Sequence, residues 1–178
     1  MNKVNTLTLI LALLILSSCT PLVPFTQSVR QQYDLQEADL KSIQFYTSHD
    51  IVLRRGDVGN NKVTKEGELV VTQDRKVEEI FIKAGTPCVI QEVTDGSRVT
   101  VTFEDDGNKY LVFGNLSNRN GYYNLLALEW HQGRGVVNYG GNTYYVPRGS
   151  EHIHLLFKMK SLGRFEKEQR VVKGKKVN

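Results

Sequence analysis

His152 and His154 are the side chains whose types and spacing most directly suggest chemistry. Two residues apart on an extended strand, both imidazoles fall on one face, near enough to share a metal ion such as zinc. Glu151 falls on the opposite face, so a third ligand must come from elsewhere, with His131 and His49 available. Lys158 and Lys160 continue the histidine face and disfavour a nearby cation. The pair therefore reads as an exposed polar face, and no metal site is assigned. Glu104, Asp105 and Asp106 cluster before Gly107. A general acid and base need two carboxyls held across a cleft with separated pKa values, which neighbours on a turn do not provide. Asp106-Gly107 reads as turn chemistry, and the loop lacks the alternating oxygen donors of a calcium loop. The motifs G-x-S-x-G, H-E-x-x-H, C-x-x-C and a glycine-rich phosphate loop are absent, so no catalytic residue and no cofactor are assigned.

Two other groups suit recognition better than catalysis. Tyr122, Tyr123, Trp130, Tyr139, Tyr144 and Tyr145 are six of the sixteen aromatic residues, gathered in 24 positions. Tyr and Trp pair an apolar face with a polar handle, which fits protein interfaces and sugar platforms, although aromatics also fill β-sheets. In a pair such as Tyr144-Tyr145 one ring points in and the other out, and at least two of the six are expected to be exposed. The second group is basic. Between Phe157 and Asn178 eight Lys and Arg residues stand against two Glu, while the chain from Cys19 to Leu156 carries a net charge of −3. Such an end suits phospholipid headgroups, lipopolysaccharide phosphates or an acidic protein partner. Nucleic acid is not expected, since no binding motif accompanies the charge. The predicted interaction surface combines Tyr122, Tyr123, Tyr144 and Tyr145 with Lys158, Lys160, Arg164, Lys167 and Arg170.

The elements that must position these residues are mostly strands. Ser28 is placed to cap a short helix containing Val29 and Tyr33, and a second helical turn fits "LQEADLKS". Beyond Ile43 the apolar period becomes two. In "RVTVTFE", Val99, Val101 and Phe103 face one way and Arg98, Thr100, Thr102 and Glu104 the other, between the turn signals Asp95-Gly96 and Asp106-Gly107. "HIHLLFKMK" alternates similarly, placing Ile153, Leu155, Phe157 and Met159 in the core. Further strands fit "SIQFYT", "DIVLRR", "GELVVTQ", "VEEIFIK", "PCVIQEV", "KYLVFG", "GVVNYG", "TYYVP" and "FEKEQRVVK". "YYNLLALEW" is read as strand, because a nine-residue helix would need tertiary support. About a dozen short strands without a long helix predict an all-β single domain, a sandwich or partly open barrel, with a short N-terminal helix.

The leader addresses the chain. Lys3 opens a short positive segment, an apolar run extends from Leu7 to Leu16, and Ser17 and Ser18 precede Cys19. Ten helical residues reach roughly 15 Å, about half a bilayer's hydrocarbon core, so this is not a membrane span. Leu16-Ser17-Ser18-Cys19 resembles the lipobox of bacterial lipoproteins. That resemblance implies a diacylglyceryl group on the Cys19 thiol, cleavage before Cys19 and acylation of the new amino group. One buried acyl chain binds only marginally, whereas two or more hold permanently. Thr20 is not the aspartate that retains many Gram-negative lipoproteins at the inner membrane, and no acidic residue follows in "TPLVPFTQS". The expected address is the outer membrane, lipid-anchored, on the periplasmic face.

The organisation expected is a signal peptide over 1–18, a lipid-anchored tether over 19–27, a β-rich domain over 28–172 and a disordered basic tail over 173–178. Removing the leader leaves 160 of the 178 residues, enough for one domain with a core. Cys88 is then the only free thiol and reads as a buried small hydrophobe. The functional expectation is a non-enzymatic accessory or scaffold subunit of an outer-membrane assembly, secretion or transport complex, held by its lipid and partnered by another envelope protein. The alternatives are a glycan- or peptidoglycan-binding lipoprotein, and a hydrolase whose site is assembled from distant residues.

Overall fold

The computed structural model describes residues 20–56, 64–65, 68–69, 77–115 and 121–165. The leader and Cys19 therefore lie outside the described residues, as do Lys167, Arg170, the tail and most of "GELVVTQ" and "FEKEQRVVK". Among the described residues there are fourteen strands: β1 (Leu22–Pro24), β2 (Phe45–Thr47), β3 (Ile51–Arg55), β4 (Thr64–Lys65), β5 (Glu68–Leu69), β6 (Glu78–Ile82), β7 (Pro87–Thr94), β8 (Arg98–Thr102), β9 (Tyr110–Gly114), β10 (Asn124–Leu125), β11 (Glu129–His131), β12 (Arg134–Tyr139), β13 (Asn142–Val146) and β14 (Leu155–Lys158). Two short helices, α1 (Gln27–Gln32) and α2 (Glu37–Lys41), lie between β1 and β2. The protein is all-β, as its period-two patterning predicts.

Seven strands form one antiparallel sheet in the order β1-β14-β2-β7-β8-β9-β10. Its ends meet. The Leu125 N–H donates to the Ile153 carbonyl at 2.7 Å, the Leu155 N–H to the Tyr123 carbonyl at 3.1 Å, and the Tyr123 N–H to the Phe25 carbonyl at 3.3 Å. These bonds bring the two ends of the sheet together, so that it rolls into a barrel-like layer. Inside it, Phe25 packs on Phe45, Tyr123 and Phe157 with ring centroids 5.1, 4.8 and 5.8 Å away. A second sheet, ordered β11-β12-β13-β3-β6, shares the same core through Ile51, Leu53, Ile82, Val137, Tyr139, Tyr144 and Val146.

Turn chemistry sets the register. Asp95-Gly96, Gln132-Gly133 and Gly140-Gly141 all have positive φ at both positions, the backbone of a tight hairpin turn whose twist matches the flanking strands. In β12, Gly135 leaves no room for a side chain. An added Cβ would lie 2.8 Å from Val146 Cγ2, 2.9 Å from Ala127 Cβ and 3.0 Å from Trp130 Cη2. Gly135→Ala is accordingly expected to cost about 1–3 kcal/mol through overpacking, read as a lower urea midpoint with an unchanged slope.

Several expectations are corrected. The stretch 19–27 is not a free tether: from Leu22 it is strand, Phe25 is fully buried, and α1 begins at Gln27. Pro21 and Pro24 suggested a spacer, yet proline is compatible with an edge position, and Val23 and Phe25, two residues apart, supply the inward apolar period. The cap of α1 is Thr26, whose Oγ1 accepts the Val29 N–H at 3.1 Å, rather than Ser28. Strand β14 stops at Lys158, and Met159–Phe165 turns into a 3₁₀ helix. The Ser161 hydroxyl donates to the Lys158 carbonyl at 2.6 Å, Leu162 takes the buried position, and Met159 is exposed rather than in the core.

Candidate functional site

The predicted four-tyrosine surface does not assemble. Tyr123 is fully buried in the barrel, where its hydroxyl donates to Gln27 Oε1 at 2.6 Å and accepts from Arg30 Nη1 at 3.0 Å. Tyr144 is buried too, its hydroxyl donating to Glu78 Oε1 at 3.0 Å. Burial, then the Glu78 contact, holds the Tyr144 phenol above its ordinary range. Both hydroxyls find partners at the rim of the core, which lets the rings be buried without loss of hydrogen bonding. Tyr122 is half-buried against His154, with ring centroids 4.8 Å apart. Tyr145 is exposed at 41%. Trp130, the other exposed ring of the six, pairs with Gly135 and so faces the opposite side of the sheet from Tyr145. Two exposed rings exist, but they do not form one platform.

Of the basic residues, Lys158 ends β14 of the other sheet, and Lys160 and Arg164 lie on the 3₁₀ helix that follows it. Lys158 is half-buried with Nζ 5.9 Å from the Tyr46 ring centroid. Lys160 is exposed, and Arg164 Nη2 donates to the Ser42 carbonyl at 2.6 Å. Lys158 stands opposite Leu22 of β1, at the end of the barrel where the described chain begins.

The histidines are partly brought together, in a different arrangement from a shared strand face. Gly149, with φ of 95°, starts a 3₁₀ turn over Ser150–His152, so His152 is off the strand and exposed while His154 is half-buried. His49 approaches His154 instead, with ring centroids 6.1 Å apart. His49 Nδ1 lies 2.8 Å from Ser48 Oγ, but the Asp50 carboxylate accepts the Ala84 N–H at 2.7 Å, so these three neighbours form no relay. His131 pairs with Glu129 at 3.0 Å on β11, in the other sheet. Among the described residues, no three His, Cys, Asp or Glu side chains converge as a metal site would require.

The acidic hairpin is structural. Asp106 Oδ1 accepts the Asn108 N–H at 3.1 Å. Glu104 accepts Lys109 Nζ at 2.6 Å and the Tyr139 hydroxyl at 2.8 Å, and these bonds hold its carboxyl below the usual range. Cys88 is buried, and burial alone pushes its thiol from 9.0 up to about 12. A thiol held neutral in the fold but free to ionise when unfolded stabilises fully below pH 9 and loses that contribution as pH rises towards 12. Tyr139, raised by burial and by Glu104, acts in the same direction. The urea midpoint is therefore expected to fall steadily above pH 9, less steeply in Cys88→Ala, and iodoacetamide should label Cys88 only after unfolding.

A cluster of side chains that sequence reasoning missed lies on the outer face of the five-stranded sheet. There Arg54, Arg134 and Arg148 surround Tyr145 in a hollow of about 300 Å³, closed below by Pro147 and the Gln132-Gly133 turn. Register explains the convergence. Tyr145 is the direct partner of Arg54 and of Val136, and Arg134 follows the Gly135–Val146 pair on the same side. The stem of Arg148 lies over Gly133, its Cδ 3.6 Å from where a Cβ would stand. The three arginines are far apart in sequence and on separate segments, so only knowledge of the pairing could have joined them.

Among the described residues, no helix is long and apolar enough to cross a membrane. Comparison with protein-family models, curated proteins and solved structures found no match.

Proposed function

We propose that the protein is a lipid-anchored envelope lipoprotein whose β-domain acts as a non-enzymatic accessory or scaffold subunit of an outer-membrane assembly, secretion or transport complex. The observation that carries this reading is Leu16-Ser17-Ser18-Cys19 directly behind a short apolar run. The fold is consistent with it in one respect. Leu22 is already strand, so only Thr20 and Pro21 lie between it and Cys19, a reach of about 10 Å at full extension. A lipid on Cys19 would hold the barrel by the end that carries Lys158 and Lys160, with Met159 and Leu22 exposed beside them. Basic and apolar side chains together suit a headgroup layer. For a partner surface, the reading draws on Tyr145 and on Phe81, which is 51% exposed on β6 at the end of the second sheet.

Crosslinking in intact cells followed by mass spectrometry tests the accessory role. The expected result is one envelope protein recovered in stoichiometric amount, and less of it from Phe81→Asp. Recovery of sugar polymer alone would contradict the role.

A further inference from the structure

We infer that the hollow around Tyr145 is a binding site for a phosphorylated sugar, independent of the lipid anchor. None of its lining side chains is acidic. Arg54 is already engaged by Glu79 at 2.7 Å, and the nearby Glu129 by His131. The guanidinium groups of Arg134 and Arg148 have no hydrogen bond or ion pair among the described residues, although each carries five donors. Two uncommitted guanidinium groups and a third shared one exceed what a single carboxylate would balance. A phosphate monoester brings close to two negative charges and three acceptor oxygens, and arginine meets it in a bidentate fork.

The remaining lining selects what the phosphate is attached to. Tyr145 offers an exposed ring on the same strand face, and Pro147 an exposed apolar ring at the base. An aromatic face beside hydrogen-bond donors is suited to the apolar side of a sugar ring. A volume near 300 Å³ accommodates one phosphorylated sugar unit rather than a length of polymer. Arg54 stands on β3, Arg134 on β12 and Tyr145 on β13, so these three backbones are fixed before any ligand arrives, while Arg148 reaches in from the turn that follows β13.

Titration calorimetry of the full-length protein in non-ionic detergent, using glucose 1-phosphate, inorganic phosphate and glucose as probes, decides the matter. Glucose 1-phosphate should bind, inorganic phosphate more weakly, and glucose not measurably at about 10 mM. The double variant Arg134→Gln/Arg148→Gln should weaken glucose 1-phosphate at least about tenfold, as expected for lost charge-assisted contacts. Tyr145→Ala should weaken glucose 1-phosphate but leave inorganic phosphate unchanged, and Lys160→Gln should change neither. An unchanged urea midpoint would show that each variant is folded. Equal binding of inorganic and sugar phosphate would overturn the sugar assignment. Absence of binding by wild type, or full binding by the double variant, would overturn the site.

Discussion

Phe25→Ala is expected to destabilise the protein by about 3–5 kcal/mol, among the largest effects of any single substitution in the barrel. Phe25 is fully buried and touches three other rings, and its backbone joins β1 to the far end of the rolled sheet through the Leu155 and Tyr123 bonds. Removing the ring leaves a cavity where the two ends of the sheet meet. Domains of this size are stable by only about 5–15 kcal/mol, so the loss is a large fraction of the total. Phe25→Leu, which keeps most of the volume, should cost far less. Urea denaturation distinguishes this account from a tether, because a residue in a solvated spacer would change stability by less than about 0.5 kcal/mol.

Cys19→Ala is expected to abolish lipid labelling completely and to block cleavage of the leader. Without the thiol there is no acceptor for the diacylglyceryl group, and the remaining apolar run from Leu7 to Leu16 is too short to span a bilayer. Growth with labelled palmitate, followed by separation of membranes, checks both points. The variant should carry no label and retain the precursor's length. Because the body is folded from Leu22 onward, its urea midpoint should be unaffected.

Much of the fold was legible because strands buried on one face announce themselves by alternation. "RVTVTFE" and "TYYVP" became β8 and β13, with Val99 and Val101 inward as expected and the Tyr144-Tyr145 pair split between the two faces, although which ring is buried was not legible. The misreadings share a cause: local sequence was asked to decide what tertiary contacts decide. Met159 continues a period of two, yet Ser161 and Gly163 permit a tight turn that buries Leu162 instead. The prolines of this stretch suggested a spacer, but Val23 and Phe25 packing into the core outweigh Pro21 and Pro24 at the edge of the sheet. Burial of Tyr123 was not legible because Gln27 and Arg30, which satisfy its hydroxyl, lie more than ninety residues away. The arginine hollow was hidden for the same reason, its members meeting only through strand register.

The mass of the mature protein, extracted from native membranes, tests the envelope assignment most directly. The account predicts a chain beginning at Cys19 and heavier than its 160 residues by a diacylglyceryl group and an amide-linked acyl chain. A chain with a free, unmodified amino terminus would contradict it.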